Sequence, residues 1–289
     1  MCMTLYEPYN DVSSDSESFI IPNLPGQIKM TMMQLPPSIK CKEKTGMVKF
    51  VEEAEMRSYG VVVNSFYELE KVYADHFRKV LGRKAWHIGP SFLCNKGIEE
   101  KAHRGREASI DEHGCVKWLD TKKLNSVVYV CFGSEINMSD SQFRDIAMDL
   151  EASGRQFIWV VRKSKKEGLE WLPNGFEKRM ELLEAVTAGF LMVTWPNGAD
   201  QFYNEQLVTE VLSIGVPVGA TKWVRLEGDN ITWDALEKAV KRIMTGEEAM
   251  EMRNRTKVLA QLARRAMKEG GSSSSEMNAL IEELNSLSH

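Results

Sequence analysis

Apolar runs alternate with helical periodicity along the second half of the chain. Continuous apolar runs are typical of strands buried on both faces, and apolar residues at i, i+3, i+4 and i+7 are typical of amphipathic helices. The predicted strands are "SVVYVCFGS", "QFIWVVR", "FLMVTW" and "GVPVGA", and helical patterns such as Phe143, Ile146, Ala147 and Leu150 lie between them. This alternation predicts an α/β fold with a parallel sheet and helices on both faces.

The first half of the chain is less regular. Residues 1–47 contain scattered serines, charges and prolines, which oppose long helices and central strands. A helix, the strand "GVVVNSF", a second helix and the short strand "KAWHIGP" follow. Residues 94–114 are polar and aperiodic, so we predict an interdomain linker there.

This pattern divides the chain into four parts. We predict one unit over residues 1–93, the linker over 94–114, a Rossmann-like unit over 115–270 and a C-terminal helix over 271–289. Ser273 and Glu276 have the S-x-x-E spacing of a capping box, so we predict that both side chains bind backbone N–H groups at the start of that helix.

Composition and charge argue against several classes of protein. The 289 residues suffice for two ordinary domains, and the net charge of −4 favours neither nucleic acid nor an anionic membrane surface as a partner. No apolar run reaches the roughly 18 residues of a membrane span, and the N-terminus has no signal-peptide pattern. The five cysteines are scattered and form no C-x-x-C, so we expect a cytoplasmic protein without disulfides or a zinc site.

Two polar pairs follow predicted strands, at the edge where parallel α/β sheets bind ligands. At Gly133 and Ser134, the glycine would permit close approach of a ligand and the serine could donate to an oxygen; the alternative is an ordinary turn. At Asp200 and Gln201, a carboxylate and an amide would suit the hydroxyls of a sugar. The alternative is that Asp200 caps the next helix, and the two roles are compatible.

The signatures of several other enzyme classes are absent from the sequence. No two of the five histidines stand four residues apart, and H-E-x-x-H does not occur, so we expect no metal. The G-x-G-x-x-G, P-loop and G-x-S-x-G motifs are missing as well. An unrelated nucleotide-binding enzyme, such as an oxidoreductase, is therefore an alternative that lacks its glycine fingerprint.

Several motifs, in one order, resemble plant UDP-dependent glycosyltransferases of the inverting, two-Rossmann (GT-B) type. They are "WHIGP", "KWLDTKKLNSVVYVCFGS", "ASGRQFIWVVR", "WLPNGFEKRM" and "VTWPNGADQFYNEQLV". The likeness runs from about residue 10 to the C-terminus. It is particularly strong for the legume-type glucosyltransferases that act on isoflavonoids and triterpenoids. It implies transfer of glucose from UDP-glucose to a hydroxyl of a small lipophilic metabolite, with the UDP-sugar as co-substrate and no further cofactor.

The resemblance also implies roles for individual residues. Asp200 and Gln201 match the pair that holds the sugar. Glu184 in "LLEAVTAG" matches the glutamate that holds the ribose hydroxyls, and Ser134 matches a serine near the phosphates. No histidine matches the general base by motif, so we expect the catalytic histidine and its aspartate partner to be absent from this chain.

The chain departs from the family pattern in two places. Near residues 180–183, "GFEKRM" runs almost directly into "ELLEAVTAG", where the family has the W-A-P-Q and H-C-G-W-N-S segments that hold uracil and the diphosphate. Residues 1–93 match only part of the acceptor-binding N-terminal domain. We therefore expect a truncated chain with impaired activity; the alternative is a non-catalytic product, either a partner of a full-length relative or a truncated gene product.

Overall fold

The computed structural model shows an α/β chain in which short strands alternate with helices. It describes residues 6–40, 50, 53–54, 56–94, 117–123, 125–131, 144, 146–148, 150–151, 154–160, 182–198, 200–223, 231 and 233–287. The described strands are β1 (Ser18–Ile20), β2 (Lys29–Thr31), β3 (Val61–Val63), β4 (Ala85–His87), β5 (Val127–Cys131), β6 (Gln156–Val160), β7 (Met192–Thr194) and β8 (Gly215–Pro217). The described helices are α1 (Pro37–Lys40), α2 (Lys71–Lys79), α3 (Leu182–Ala188), α4 (Gln201–Gln206), α5 (Trp233–Met244), α6 (Glu247–Ala266) and α7 (Ser272–Leu287).

Parallel pairing dominates the described strands, as the alternating pattern predicts. The pairs β3–β4, β5–β6 and β7–β8 are all parallel, which confirms the α/β class. Within the described residues these strands form separate pairs, and no pairing joins them into one continuous sheet.

The N-terminal segment contains a hairpin that the sequence pattern does not predict. Strands β1 and β2 pair antiparallel. Each has three residues, which is too short for an alternating pattern to show. The connection is irregular, and Gly26 has a positive φ of 91°.

This hairpin also contributes to the core of the second half. Phe19, Met30 and Leu35 are buried in one cluster with Phe202 and Val218, which lie beside β7 and β8. The N-terminal segment therefore packs against the unit predicted to begin at residue 115. The proposed linker falls almost entirely outside the described residues, and the division into domains stays a prediction.

The C-terminal helix α7 packs on β4, far back along the chain. The Ser273 hydroxyl donates to the Gly89 carbonyl at 2.6 Å. Glu276 pairs with Arg78 at 2.6 Å and also accepts from the backbone N–H of His87. The predicted capping box is therefore wrong, because both side chains bind a distant part of the chain instead of the first turn of their own helix. None of the described helices is long and apolar enough to cross a membrane.

Candidate functional site

The polar pair Asp200–Gln201 lies at the start of α4, just beyond the end of β7. Strand β7 ends at Thr194, and the buried Pro196 follows, where the absence of an N–H prevents further pairing. A short turn then leads to α4, which begins at Gln201. The site is thus at the carboxyl end of a parallel strand, as the sequence predicts.

The side chain of Gln201 closes the loop that precedes it. Its Oε1 accepts from the backbone N–H of Asn197 at 2.8 Å and from that of Gly198 at 3.3 Å. Asn197 itself is buried, and its Nδ2 donates to the carbonyl of Trp195 at 3.3 Å. The glutamine amide is therefore oriented by the backbone, with its oxygen turned towards the loop.

Asp200 occupies the N-cap position of α4, but its carboxylate does not cap the helix. Its backbone carbonyl accepts from the N–H groups of Tyr203 at 3.0 Å and Asn204 at 3.1 Å. Its exposed carboxylate accepts from Asn204 Nδ2 at 3.2 Å. The alternative that the Asp200 side chain serves as a helix cap is therefore not what the structure shows, and the carboxylate still has acceptor sites available.

A buried carboxyl group lies one turn further along α4. Glu205 is only 6% exposed, and the Thr194 hydroxyl donates to its Oε2 at 2.6 Å. Burial raises the pKa of Glu205 to about 7, although the bond from Thr194 opposes that rise. Our sequence reasoning missed this residue. The i, i+3 spacing from the buried Phe202 is the signal that places Glu205 on the inner face of the helix.

The structure describes the side chains of two of the four predicted site residues. Ser134 lies outside the described residues, as does most of the segment around the predicted deletion. Glu184 belongs to α3, whose backbone alone is described at that position. Asp200 and Gln201 are the two candidates whose side-chain contacts are visible.

His87, at the end of β4, has contacts within the fold. It is buried at the end of β4, and its Nδ1 lies 3.2 Å from Arg78 Nη2 and 3.6 Å from Glu276 Oε2. Burial lowers the pKa of His87, while Glu70 and Glu276 oppose that change. These contacts indicate a structural role for His87. The part of the chain that the structure describes contains no group of three or more His, Cys, Asp or Glu that could hold a metal ion.

Comparison with known proteins identifies relatives whose descriptions agree with one another. No protein-family model matches the chain. It is 51% identical to the UDP-glucose flavonoid 3-O-glucosyltransferase 7 of Fragaria ananassa over 328 residues, which cover 99% of this chain and 67% of that protein. It is 46% identical to the scopoletin glucosyltransferase of Nicotiana tabacum over 319 residues, which cover 98% of this chain and 67% of that protein.

Solved structures agree with these relatives. A crystal structure of a Glycyrrhiza uralensis UDP-glycosyltransferase, complexed with glycyrrhetinic acid 3-O-monoglucuronide, matches with a TM-score of 0.88 and 34% identity, over 99% of this chain and 66% of that one. A Medicago truncatula enzyme complexed with UDP-glucose matches with a TM-score of 0.73 and 25% identity, over 96% of this chain and 65% of that one.

The lengths of these matches show how much of each relative the chain spans. The chain spans about two thirds of the length of the relatives. In the Fragaria match, ~286 of the 289 residues (99%) are spread over 328 aligned positions, so roughly 42 positions have a residue in the relative and none here. Missing positions on this scale are consistent with an internal deletion.

Proposed function

The chain belongs to the plant UDP-glycosyltransferase family, and from this premise we propose that it is a glucosyltransferase with strongly impaired activity. The family reaction would transfer glucose from UDP-glucose to a hydroxyl of a small lipophilic metabolite, such as a flavonoid or triterpenoid. In that reaction a base takes the hydroxyl proton, the oxygen attacks the anomeric carbon with inversion, and UDP leaves. The observation that carries the proposal is the oriented Asp200–Gln201 pair at the carboxyl end of β7.

The proposed donor site extends from this pair towards the nucleotide. Asp200 and Gln201 would hold the sugar, Glu184 the ribose hydroxyls, and Ser134 would lie near the phosphates. Support for Asp200 and Gln201 comes from their geometry, and support for the other two comes from the sequence resemblance alone. The UDP-sugar would be a co-substrate, with no resident cofactor. The scattered cysteines support the cytoplasm as the compartment.

The proposed impairment follows from the missing segment near residues 180–183. By resemblance, that segment would supply about three hydrogen bonds to the diphosphate. Hydrogen bonds to charged groups contribute roughly 1.5–3 kcal/mol each, so their loss removes on the order of 5–9 kcal/mol. A micromolar site holds only about 8 kcal/mol in total.

Turnover with a family substrate tests the proposal. We would incubate the purified chain with UDP-glucose and a panel of flavonoids and triterpenoids, and detect glucosides by mass spectrometry. The full-length Fragaria relative serves as the positive control. We expect product only far below the level of that control. Robust turnover would refute the impairment, and a thermal shift with NAD(P) but not with UDP would favour the oxidoreductase alternative.

A strand edge that none of the described strands covers favours a second candidate function, that of a non-catalytic partner. The Val61 N–H donates to Lys84 O at 2.9 Å, and the Ile88 N–H donates to Val63 O at 3.0 Å. These groups face β4, so by the alternation of a parallel ladder the N–H and C=O of Val62 face away from it. Among the described strands none pairs with that edge, and Val62 is 52% exposed.

The opposite edge of the same strand pair, which is the outer edge of β4, is covered by side chains. Arg78 binds the outward carbonyl of β4 at Ala85, and Glu276 binds its outward N–H at His87.

An open edge can accept a strand from another polypeptide. We would therefore test whether a tagged chain captures a full-length family member. Val62→Lys should abolish capture, while Val72→Lys, at an exposed valine of α2, should not. Absence of capture by the unmodified chain would rule out this role.

A further inference from the structure

The outward backbone groups of β3 are arranged symmetrically about one residue. Residues 61, 63 and 65 hydrogen-bond to the segment 84–89, which contains β4. The backbone groups of successive residues in a strand point to alternate edges, so Gly60, Val62 and Asn64 direct theirs away from β4. No described strand pairs with this edge. Val62 is therefore the centre of an edge that has one outward residue on either side of it.

This spacing is self-complementary when a second copy of the strand approaches in the antiparallel direction. An antiparallel ladder contains pairs of facing residues that exchange two N–H···O=C bonds. With a two-fold axis at Val62, this residue faces Val62 of the second copy, and Gly60 of each copy faces Asn64 of the other. Each outward donor then meets an outward acceptor, in three pairs, so one symmetry operation satisfies the whole edge.

The side chain of Val62 favours the same arrangement. It is 52% exposed in the single chain, which is a large fraction for a valine within a strand. In a hydrogen-bonded antiparallel pair the Cα atoms are about 5.5 Å apart and both side chains project from the same face. The two valines would therefore contact each other, and each exposed valine would gain an apolar neighbour.

The other edge of this strand pair limits the assembly to two copies. The outer edge of β4 is bound by the side chains of Arg78 and Glu276. Each copy can thus offer only the β3 edge of this pair to another strand. An isologous contact through one edge closes with two copies, whereas two free edges would allow a growing sheet.

We propose that two copies of this chain associate through their β3 edges and form a four-stranded sheet in the order β4–β3–β3–β4. The proposal concerns the same edge as the second candidate function, but it does not depend on that function, because no relative is needed. A ladder of this length is shorter than a standard interface of about 1,600 Å² provides for. We therefore expect a reversible dimer with a dissociation constant of roughly 10–100 μM.

Sedimentation equilibrium of the reduced chain, from about 5 to 500 μM, measures this association. The mass should rise from 32.9 kDa towards twice that value. Val62→Pro removes the outward N–H, while the bonds of Val61 and Val63 to β4 remain, and an edge strand tolerates proline there. We expect Val62→Pro to weaken the dimer at least about tenfold. Val62→Thr is the matched control, because it keeps the N–H and the branched shape, and it should stay within about threefold.

A cross-link tests the register independently of Val62→Pro. The expected Cα separation of about 5.5 Å lies in the range of a disulfide, so Val62→Cys should give a covalent dimer under mild oxidation. Val72→Cys, at an exposed valine of α2, is the control for a cysteine elsewhere, and the unmodified chain measures cross-linking by the native cysteines. Both controls should give much less dimer. This arm decides the matter even if Val62→Pro does not fold.

Three results would overturn the proposal: an unmodified chain that is monomeric up to 500 μM, a dimer that Val62→Pro does not weaken, or equal cross-linking in Val62→Cys and its controls. Assembly beyond the dimer through β4 would contradict the closure. A monomeric chain that still captures a full-length relative would remove this proposal and leave the second candidate function intact. The turnover assay with UDP-glucose is unaffected by either outcome.

Discussion

Replacing Glu205 with glutamine should stabilise the protein, and the gain should grow with pH. The carboxyl is buried against Thr194, and burial raises its pKa from 4.5 to about 7. A carboxyl with a raised pKa in the folded state favours folding fully only below its unfolded pKa. That contribution is lost as the pH rises through the folded pKa, because the folded protein must then bury a charge.

The size of the effect follows from the two pKa values. One pKa unit corresponds to about 1.4 kcal/mol, so a rise from 4.5 to about 7 corresponds to about 3 kcal/mol once the carboxyl is ionised in both states. Glutamine has nearly the same shape and can still accept the hydrogen bond from Thr194, but it never ionises. Glu205→Gln should therefore add about 3 kcal/mol to the free energy of unfolding at pH 8 and less than about 1 kcal/mol at pH 5.

Urea denaturation followed by tryptophan fluorescence, at pH 5 and at pH 8, measures both values. Glu282→Gln is the control, because Glu282 is exposed on α7 and is not among the charges that raise the pKa of Glu205. We expect that control to change stability by less than about 0.5 kcal/mol at either pH. An equal effect of Glu205→Gln at both pH values, or a loss of stability at pH 8, would refute the reasoning.

Three further substitutions test other contacts. Thr194→Val removes the hydrogen bond that favours the ionised carboxylate of Glu205, so the folded-state pKa should rise further and the decline of stability, which begins at the unfolded pKa, should continue to higher pH in the same urea series; an unchanged pH profile would contradict this. Glu276→Ala should lower the free energy of unfolding by about 2–3 kcal/mol, because it leaves a half-buried guanidinium unpaired; exposed Glu282→Ala is the control, and equal losses in both would count against the pair. Gly215→Ala should cost about 1–3 kcal/mol in urea unfolding, because a Cβ there would stand 2.5 Å from a valine methyl group and 2.7 Å from a backbone oxygen; a neutral effect would show that β8 can shift.

The elements that sequence reasoning predicts well are those whose burial leaves a long pattern. Strands β5, β6 and β7 lie within the predicted apolar runs. The β1–β2 hairpin is missed because its strands have three residues each, and its apolar side chains are buried by a unit far along the chain. Short elements stabilised by distant contacts leave little local pattern.

The same distinction between local and distant contacts applies to individual polar residues. The position of Asp200 and Gln201 beyond a strand end follows from the sequence, because the strand and the following helix are both evident. The capping box at Ser273 and Glu276 is wrong because their partners lie more than 180 residues away in sequence. A spacing rule considers only contacts within the helix itself. Here the two side chains form tertiary contacts instead.

The contacts that orient Asp200 and Gln201 are local, so the proposed internal deletion would leave them in place. The amide of Gln201 is held by backbone groups three and four residues away, and the carboxylate of Asp200 by a side chain four residues away. The proposed deletion near residues 180–183 would remove none of these partners, so the orientation of the pair would not depend on that segment. Affinity for a UDP-sugar would depend on it, because by the resemblance the segment would supply the charge-assisted bonds to the diphosphate. We therefore expect the chain to keep the loop geometry at Asp200 and Gln201 while it binds UDP-sugars weakly.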